Sequence, residues 1–192
     1  MVVYKAPYDE YDFLFYEVFD VLDLAKRLGH DDLDRDFIRM IMEGWGDYCT
    51  EVLLPLNEIG DREGLVFESG EVTMPSGFVD AWKEGVEAGW FATTCRPEHG
   101  GMGLPQFVRN GVDEISIAAN MSISVVPALG LGVYELVTNH GVQELIDHYA
   151  EYLASGHWCS TMCLTEPHAG TDLGIIYSKA VPQDDGSYRV TG

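Results

Sequence analysis

The sequence predicts a mainly α-helical chain that passes into β structure near its end. Apolar residues recur at helical spacing from residue 8 to about 155, in stripes closed by Gly or Pro. After Gly156 the stripes give way to short alternating runs with a turn between the last two. Apolar residues make up 46% of the 192 positions and aromatics 11%, enough to bury a core, which excludes a wholly disordered chain.

Taken in order, Tyr8 to Leu28 carries Leu14, Val18, Val21, Ala25 and Leu28 on one stripe that Gly29 ends. This sets residues 1–33 apart as an extension helix. A second helix is predicted from Asp34 as N-cap to Leu54, with Phe37, Ile41, Tyr48 and Val52 inward and Pro55 closing it. Residues 57–75 read as an acidic loop. Ser76 is the expected cap of the next helix, whose Phe78, Val79, Trp82 and Val86 face inward up to Gly89. Arg96 to Gly103 is a glycine-rich turn, and Pro105 suits the first turn of a following helix. Helices over 105–119, 128–139 and 141–154 complete a helical domain at 34–156, the last with Leu145, Ile146, Tyr149 and Leu153 on one side. A strand is expected within His157–Leu164, and others at Ile175–Val181 and Tyr188–Thr191, with Asp184–Ser187 as the final turn. Residues 157–192 are thus read as the beginning of a β domain, incomplete at Gly192.

The 32 acidic and 11 basic residues leave a net charge of -21, and 18 of the acids precede residue 72. Such a chain repels nucleic acid and anionic membrane surfaces, so neither is an expected partner. Ile115–Tyr134 runs 20 residues without a charge, but Ser116, Asn120, Ser122, Ser124, Pro127, Gly130 and Gly132 break it up. Two buried helical segments joined near Pro127, in a soluble protein, are the expectation. Cys49, Cys95, Cys159 and Cys163 are too sparse for a disulfide framework and match no zinc-ligand spacing, so no metal site is expected. They read as buried free thiols in a reducing cytoplasm. The N-terminus shows no basic region followed by an apolar core, so no signal peptide is expected.

Two segments could carry chemistry. Gly100-Gly101-Met102-Gly103 lacks the Gly-Lys-Ser/Thr ending of a nucleotide loop and follows no strand, so it reads as a tight turn. Met162 to Asp172 (MCLTEPHAGTD) combines a Thr-Glu-Pro turn with a small-residue loop. Its backbone N–H groups and two Thr hydroxyls form a donor-rich rim suited to an isoalloxazine ring or a phosphate. An ordinary strand–turn–strand connection is the alternative. Glu166 within it is open to reading as a general base or as a structural carboxylate.

Thr165-Glu166-Pro167 followed by Gly170-Thr171-Asp172 resembles the flavin-contacting segment of the acyl-CoA dehydrogenase family. Gly89-Trp90, Pro97 to Leu104, Asn139-His140-Gly141 and Asp185 to Gly192 resemble other stretches of it, closely over 75–192 and loosely over 34–74. Tyr4-Lys5-Ala6-Pro7, Phe13-Leu14, Glu17-Val18 and Thr171 resemble a longer subgroup that includes the 3-(methylthio)propanoyl-CoA dehydrogenases of dimethylsulfoniopropionate degradation. The resemblance implies a family-type N-terminal helical domain followed by the start of a β-barrel-like middle domain. It implies an FAD-dependent oxidoreductase of fatty-acid-type metabolism that desaturates an acyl-CoA thioester, passing electrons to an electron-transfer flavoprotein, as a cytoplasmic homodimer or homotetramer. It places Met162, Cys163, Leu164 and Thr165 along the flavin, Gly170 and Thr171 on the cofactor, and Thr171 also on the substrate. The family's catalytic glutamate lies in a C-terminal helical domain, so no catalytic residue is assigned here, and Glu98, Glu135 and Glu166 are all declined. Residues 1–192 alone are expected to be inactive and to bind FAD weakly. The alternatives are a truncated, non-catalytic helical interaction module and an acyl-CoA oxidase of the same fold.

Overall fold

Helix starts and stops set most of the architecture. The computed structural model describes residues 3–192, in two compact units, one ending at Ser160 and the other formed by Thr161–Gly192. The chain is mainly α. The first unit opens with α1 (Tyr8–Asp12), a π-helical turn (Phe13–Val18) and α2 (Val21–Arg27). The extension is therefore two short helices rather than one, because Asp20 adopts a left-handed conformation (φ 45°) and its side chain caps α2 at the Asp23 N–H. Leu14, Val18 and Leu28, expected inward, are exposed. Asp12 bridges Arg35 and Arg39, each at 3.1 Å, and the two guanidiniums lie over the Tyr16 and Tyr8 rings. These contacts fasten the extension to α3.

The N-cap at Asp34 is as expected, with its Oδ1 accepting from the Phe37 N–H at 2.8 Å, and α3 runs Arg35–Tyr48. Its buried face holds Ile38, Ile41, Met42, Trp45 and Tyr48, whereas Phe37 is exposed. Pro55 does not close this helix. A second π turn (Cys49–Leu53) leads straight into α4 (Leu54–Glu63), and Pro55 sits in the first turn of α4, where a missing N–H costs nothing. The expected acidic loop is likewise replaced by the end of α4 and a hairpin, β1 (Val66–Glu68) against β2 (Glu71–Thr73). Ser69 and Gly70 both take positive φ, the geometry a two-residue hairpin turn requires.

Gly77 rather than Ser76 caps α5 (Phe78–Glu87), and Val79 faces solvent. The chain then passes two 3₁₀ turns, Trp90–Ala92 and Pro97–His99, into α6 (Gln106–His140). This 35-residue helix breaks at Asn120 (φ -157°, ψ 93°) and not at Pro127. The Asn120 amide explains the position: Nδ2 donates to the Leu53 carbonyl at 3.0 Å, and Oδ1 accepts from the Ile123 N–H at 3.3 Å, restarting the helix. Trp45 Nε1 donates to the Val112 carbonyl (2.6 Å) and the Tyr48 hydroxyl to the Ala81 carbonyl (2.8 Å), so α3 is bonded to both α6 and α5. Val108, Val112, Ile115, Ala119 and Ile123 bury α6 in the main core. By length and composition α6 could cross a bilayer, yet this apolar stripe is spent on the core.

Helix α7 (Gln143–Ser155) packs on the second half of α6 around a smaller core of Ala92, Cys95, Tyr134, Ala150, Leu153 and Ala154. Leu145 and Tyr149, expected inward, are exposed, and Gly156 ends the helix at φ 80°. Cys49 and Cys95 are buried, and burial pushes the Cys95 thiol up to about 12. Cys159 and Cys163, expected buried, are exposed. The second unit contains a 3₁₀ turn (Leu173–Ile175) and β3 (Lys179–Pro182) antiparallel to β4 (Tyr188–Thr191). The turn between these strands is as expected, with Asp185 Oδ1 accepting from the Ser187 N–H and hydroxyl. No strand forms within His157–Leu164, and β3 starts four residues later than Ile175.

Asn120→Ala would remove the buried hydrogen bond to the Leu53 carbonyl and the restart cap, at a cost of about 2–3 kcal/mol, read as a lowered urea midpoint. An unchanged midpoint would show that the break does not depend on this amide. Gly101→Ala would drive a Cβ into the Cys95 carbonyl oxygen. Because the obstacle is backbone, the loss should reach about 3 kcal/mol or more in thermal unfolding.

Candidate functional site

The Gly100–Gly103 turn has no donors to offer a phosphate. Its N–H groups go to the chain just before it: Gly101 to Arg96, Met102 to Ala92 and Gly103 to Cys95, at 2.9–3.0 Å. Leu104 bonds Thr93 in the same way at 2.9 Å. His99 Nδ1 lies 2.9 Å from the Tyr134 hydroxyl, which also accepts from the Arg96 N–H at 2.9 Å. His99 thus pins the turn to α6.

In the second unit the opposite holds. Thr161–Thr165 runs without secondary structure, and Met162, Cys163, Leu164 and Thr165 are exposed. Among the described residues, their backbone N–H groups find no acceptor within the protein. Glu166 and Ala169 then exchange backbone hydrogen bonds (3.0 and 3.1 Å), closing a turn over Pro167 and His168. Thr165 and Gly170 are the next residues out on its two arms, followed by Thr171. A Cβ at Gly170 would meet nothing within 4 Å, so the space beside this rim is open.

The turn is fastened from behind by Glu166. Its Oε2 accepts from the Tyr177 N–H (2.8 Å), and its Oε1 from the Ser178 N–H (2.9 Å) and hydroxyl (2.6 Å). With both oxygens engaged, Glu166 is a structural carboxylate and not a free base. His168 stacks on Tyr177 with centroids 3.8 Å apart, and its Nε2 lies 3.0 Å from the Ile175 carbonyl and 3.4 Å from Glu166 Oε2. Asp172 Oδ1 accepts from the Gly174 N–H at 2.9 Å, which turns the chain after Thr171.

A second feature escaped the sequence reading. In the first unit an apolar groove of about 410 Å³ runs between α5 and the second half of α6, lined by Met74, Phe78, Val79, Trp82, Ile123 and Val126, with Lys83 and Cys159 also on its wall. It can hold an aliphatic chain. Val79 marks it: an apolar residue on an amphipathic helix that no partner element covers.

Residues 38–157 match the acyl-CoA dehydrogenase N-terminal domain. The chain is 35% identical over 191 residues to 3-methylmercaptopropionyl-CoA dehydrogenase of Ruegeria pomeroyi, covering 100% of this chain and 32% of that protein. It is 32% identical over 182 residues to the broad-specificity linear acyl-CoA dehydrogenase FadE5 of Mycobacterium tuberculosis, covering 92% and 30%. The chain therefore spans about a third of the length of these curated relatives. Among solved structures, the acyl-CoA dehydrogenase of Bacillus anthracis complexed with FAD shares the fold with a TM-score of 0.67 at 22% identity, covering 84% of this chain and 27% of that one. The helical unit, its glycine turn and most of its matched length lead to one conclusion: this chain belongs to the acyl-CoA dehydrogenase family.

Proposed function

We propose that this chain is the N-terminal part of an FAD-dependent acyl-CoA dehydrogenase that desaturates an acyl-CoA thioester. The observation that carries the reading is the Thr161–Thr165 run, whose backbone donors are unspent in a chain of this family. A flavin ring carries acceptors along its polar edge, and unpaired N–H groups beside small residues suit it. Bound there, FAD supplies the acceptor for the substrate's hydride. The Leu164 and Thr165 N–H groups and the Thr165 hydroxyl hold the ring's polar edge. Gly170 lets the backbone approach, and the Thr171 hydroxyl is read as a contact to both cofactor and acyl-CoA. The groove walled by Phe78, Trp82 and Val126 suits the aliphatic part of an acyl group. Among substrates, 3-(methylthio)propanoyl-CoA is favoured by the 35% identity to the Ruegeria enzyme, which extends over the whole chain, extension included. The catalytic glutamate is supplied from outside these 192 residues, electrons pass to an electron-transfer flavoprotein, and the enzyme works as a cytoplasmic homo-oligomer.

FAD titration followed by quenching of flavin fluorescence tests the assignment. Thr165→Val should weaken FAD by about tenfold, or about 1.4 kcal/mol, and Gly170→Val by at least as much. Equal affinity in all three proteins would remove this segment from the cofactor site. In the full-length enzyme, turnover of 3-(methylthio)propanoyl-CoA should exceed that of butanoyl-CoA, whereas oxygen consumption in place of flavoprotein reduction would make it an oxidase.

Glu166 gives a pH-dependent test of the rim. The Ser178 hydroxyl, then the Tyr177 and Ser178 N–H groups, lower its pKa below the ordinary glutamate value. The folded state therefore binds fewer protons here than the unfolded one. The stabilisation is complete above the ordinary glutamate pKa and is lost as pH falls through the lowered one. Acid should release Tyr177 and Ser178 amide protection against hydrogen exchange in the native chain. In Glu166→Gln that protection should be weaker at neutral pH and insensitive to acid.

A further inference from the structure

The β1–β2 hairpin between α4 and α5 serves neither core: no residue of 64–75 belongs to either buried cluster. Among the described residues, no backbone group of 65–74 bonds outside the hairpin. Met74 alone of this stretch touches the groove beside α5.

The register gives the hairpin two unlike faces. Phe67 lies opposite Val72, and alternation puts Leu65 and Met74 on the same side. Phe67 is 71% exposed, Leu65 65% and Val72 57%, so this apolar face is uncovered. On the other face Glu68 lies directly opposite Glu71, next to Val66 opposite Thr73. Like charges in register weaken a ladder, and a two-stranded hairpin is marginal in water even without them. Because the turn at Ser69 and Gly70 has two residues, Glu68 and Glu71 form the hydrogen-bonded closing pair. Phe67 and Val72 therefore point their N–H and C=O groups outward, one to each edge.

The hairpin thus lacks a cover for its apolar face, partners for its edges and a counter-charge for its glutamates. A strand that alternates apolar and basic residues supplies all three. Paired along either edge, it lays its apolar side chains beside Phe67 or Val72. Its basic side chains then fall beside a glutamate, since β1 carries Glu68 and β2 carries Glu71. A second copy of the hairpin would set glutamate against glutamate in a chain of net charge -21. An anionic lipid surface would be repelled in the same way. We propose that the β1–β2 hairpin docks a strand of a partner protein, alternating apolar residues with Lys or Arg, as the third strand of its sheet.

Amide NMR of the chain titrated with short peptides that alternate Val with Lys, with Ser or with Glu tests this. The Val/Lys peptide should saturate shifts of the Phe67 and Val72 amides at least about tenfold more tightly than Val/Ser, a difference of about 1.4 kcal/mol. Val/Glu should not bind. Rising salt should shrink the Val/Lys preference, because both glutamates are exposed. Replacing both (Glu68→Gln with Glu71→Gln) should bring Val/Lys to within about threefold of Val/Ser. Thermal unfolding should not change in that variant, since neither side chain belongs to a core. Phe67→Ser should weaken both peptides by about fivefold or more. Val/Glu binding as tightly as Val/Lys would overturn the proposal, as would self-association of the chain that Phe67→Ser abolishes. So would Phe67 and Val72 amides already protected from hydrogen exchange in the full-length enzyme without peptide, because its own later residues would then cover the hairpin.

Discussion

The helical unit depends on one buried amide. Asn120 is 1% exposed and joins segments 67 residues apart by donating to the Leu53 carbonyl. That carbonyl ends a π turn, where the usual i→i-4 acceptor pattern has slipped. The Asn120 bond ties α6 to this turn at the residue where α6 breaks. Residues on both sides of the break, Val108 to Ile123, join the main core, and further along α6 Tyr134 packs with α7 and the glycine turn.

Backbone donors tell the two glycine-bearing segments apart. At Gly100–Gly103 the N–H groups are spent on carbonyls of residues 92–97, and the absence of a Cβ at Gly101 is what allows the chain to lie against Cys95. At Thr161–Thr165 they are unspent, beside a turn held by three hydrogen bonds to Glu166. A fixed turn beside free donors lowers the cost of ordering this segment around a ligand, since the turn itself is ordered in folding and not in binding. The acidic surface plays a smaller part. Of 11 basic residues, Arg35 and Arg39 join the extension to α3 through Asp12, while most other ion pairs are exposed and contribute little.

Signals confined to one turn of chain were legible. Asp34 caps a helix because its own side chain reaches the N–H three residues on, and Gly156 ends one because only glycine takes its positive φ cheaply. The Asp185-Gly186-Ser187 turn is equally local. Pro55 was not legible, because a missing N–H suits a position just after a helix or in its first turn, and only the π turn before it decides between them. Inward faces failed for a related reason. Phe37, Val79 and Leu145 sit on apolar stripes, but whether a stripe is covered depends on elements far along the chain.

The sequence by itself determined the mainly helical class, the family, and the Thr-Glu-Pro and Gly-Thr-Asp run, because these rest on periodicity and on motifs within about ten residues. Only the tertiary structure decided that α6 breaks at Asn120, that Glu166 is a clasp, and that the β1–β2 hairpin leaves an apolar face uncovered. The first two are set by where a polar group finds its partner. Such partners lie 11 residues away for Glu166 and Tyr177 and 67 away for Asn120 and Leu53, a separation that local pattern does not encode.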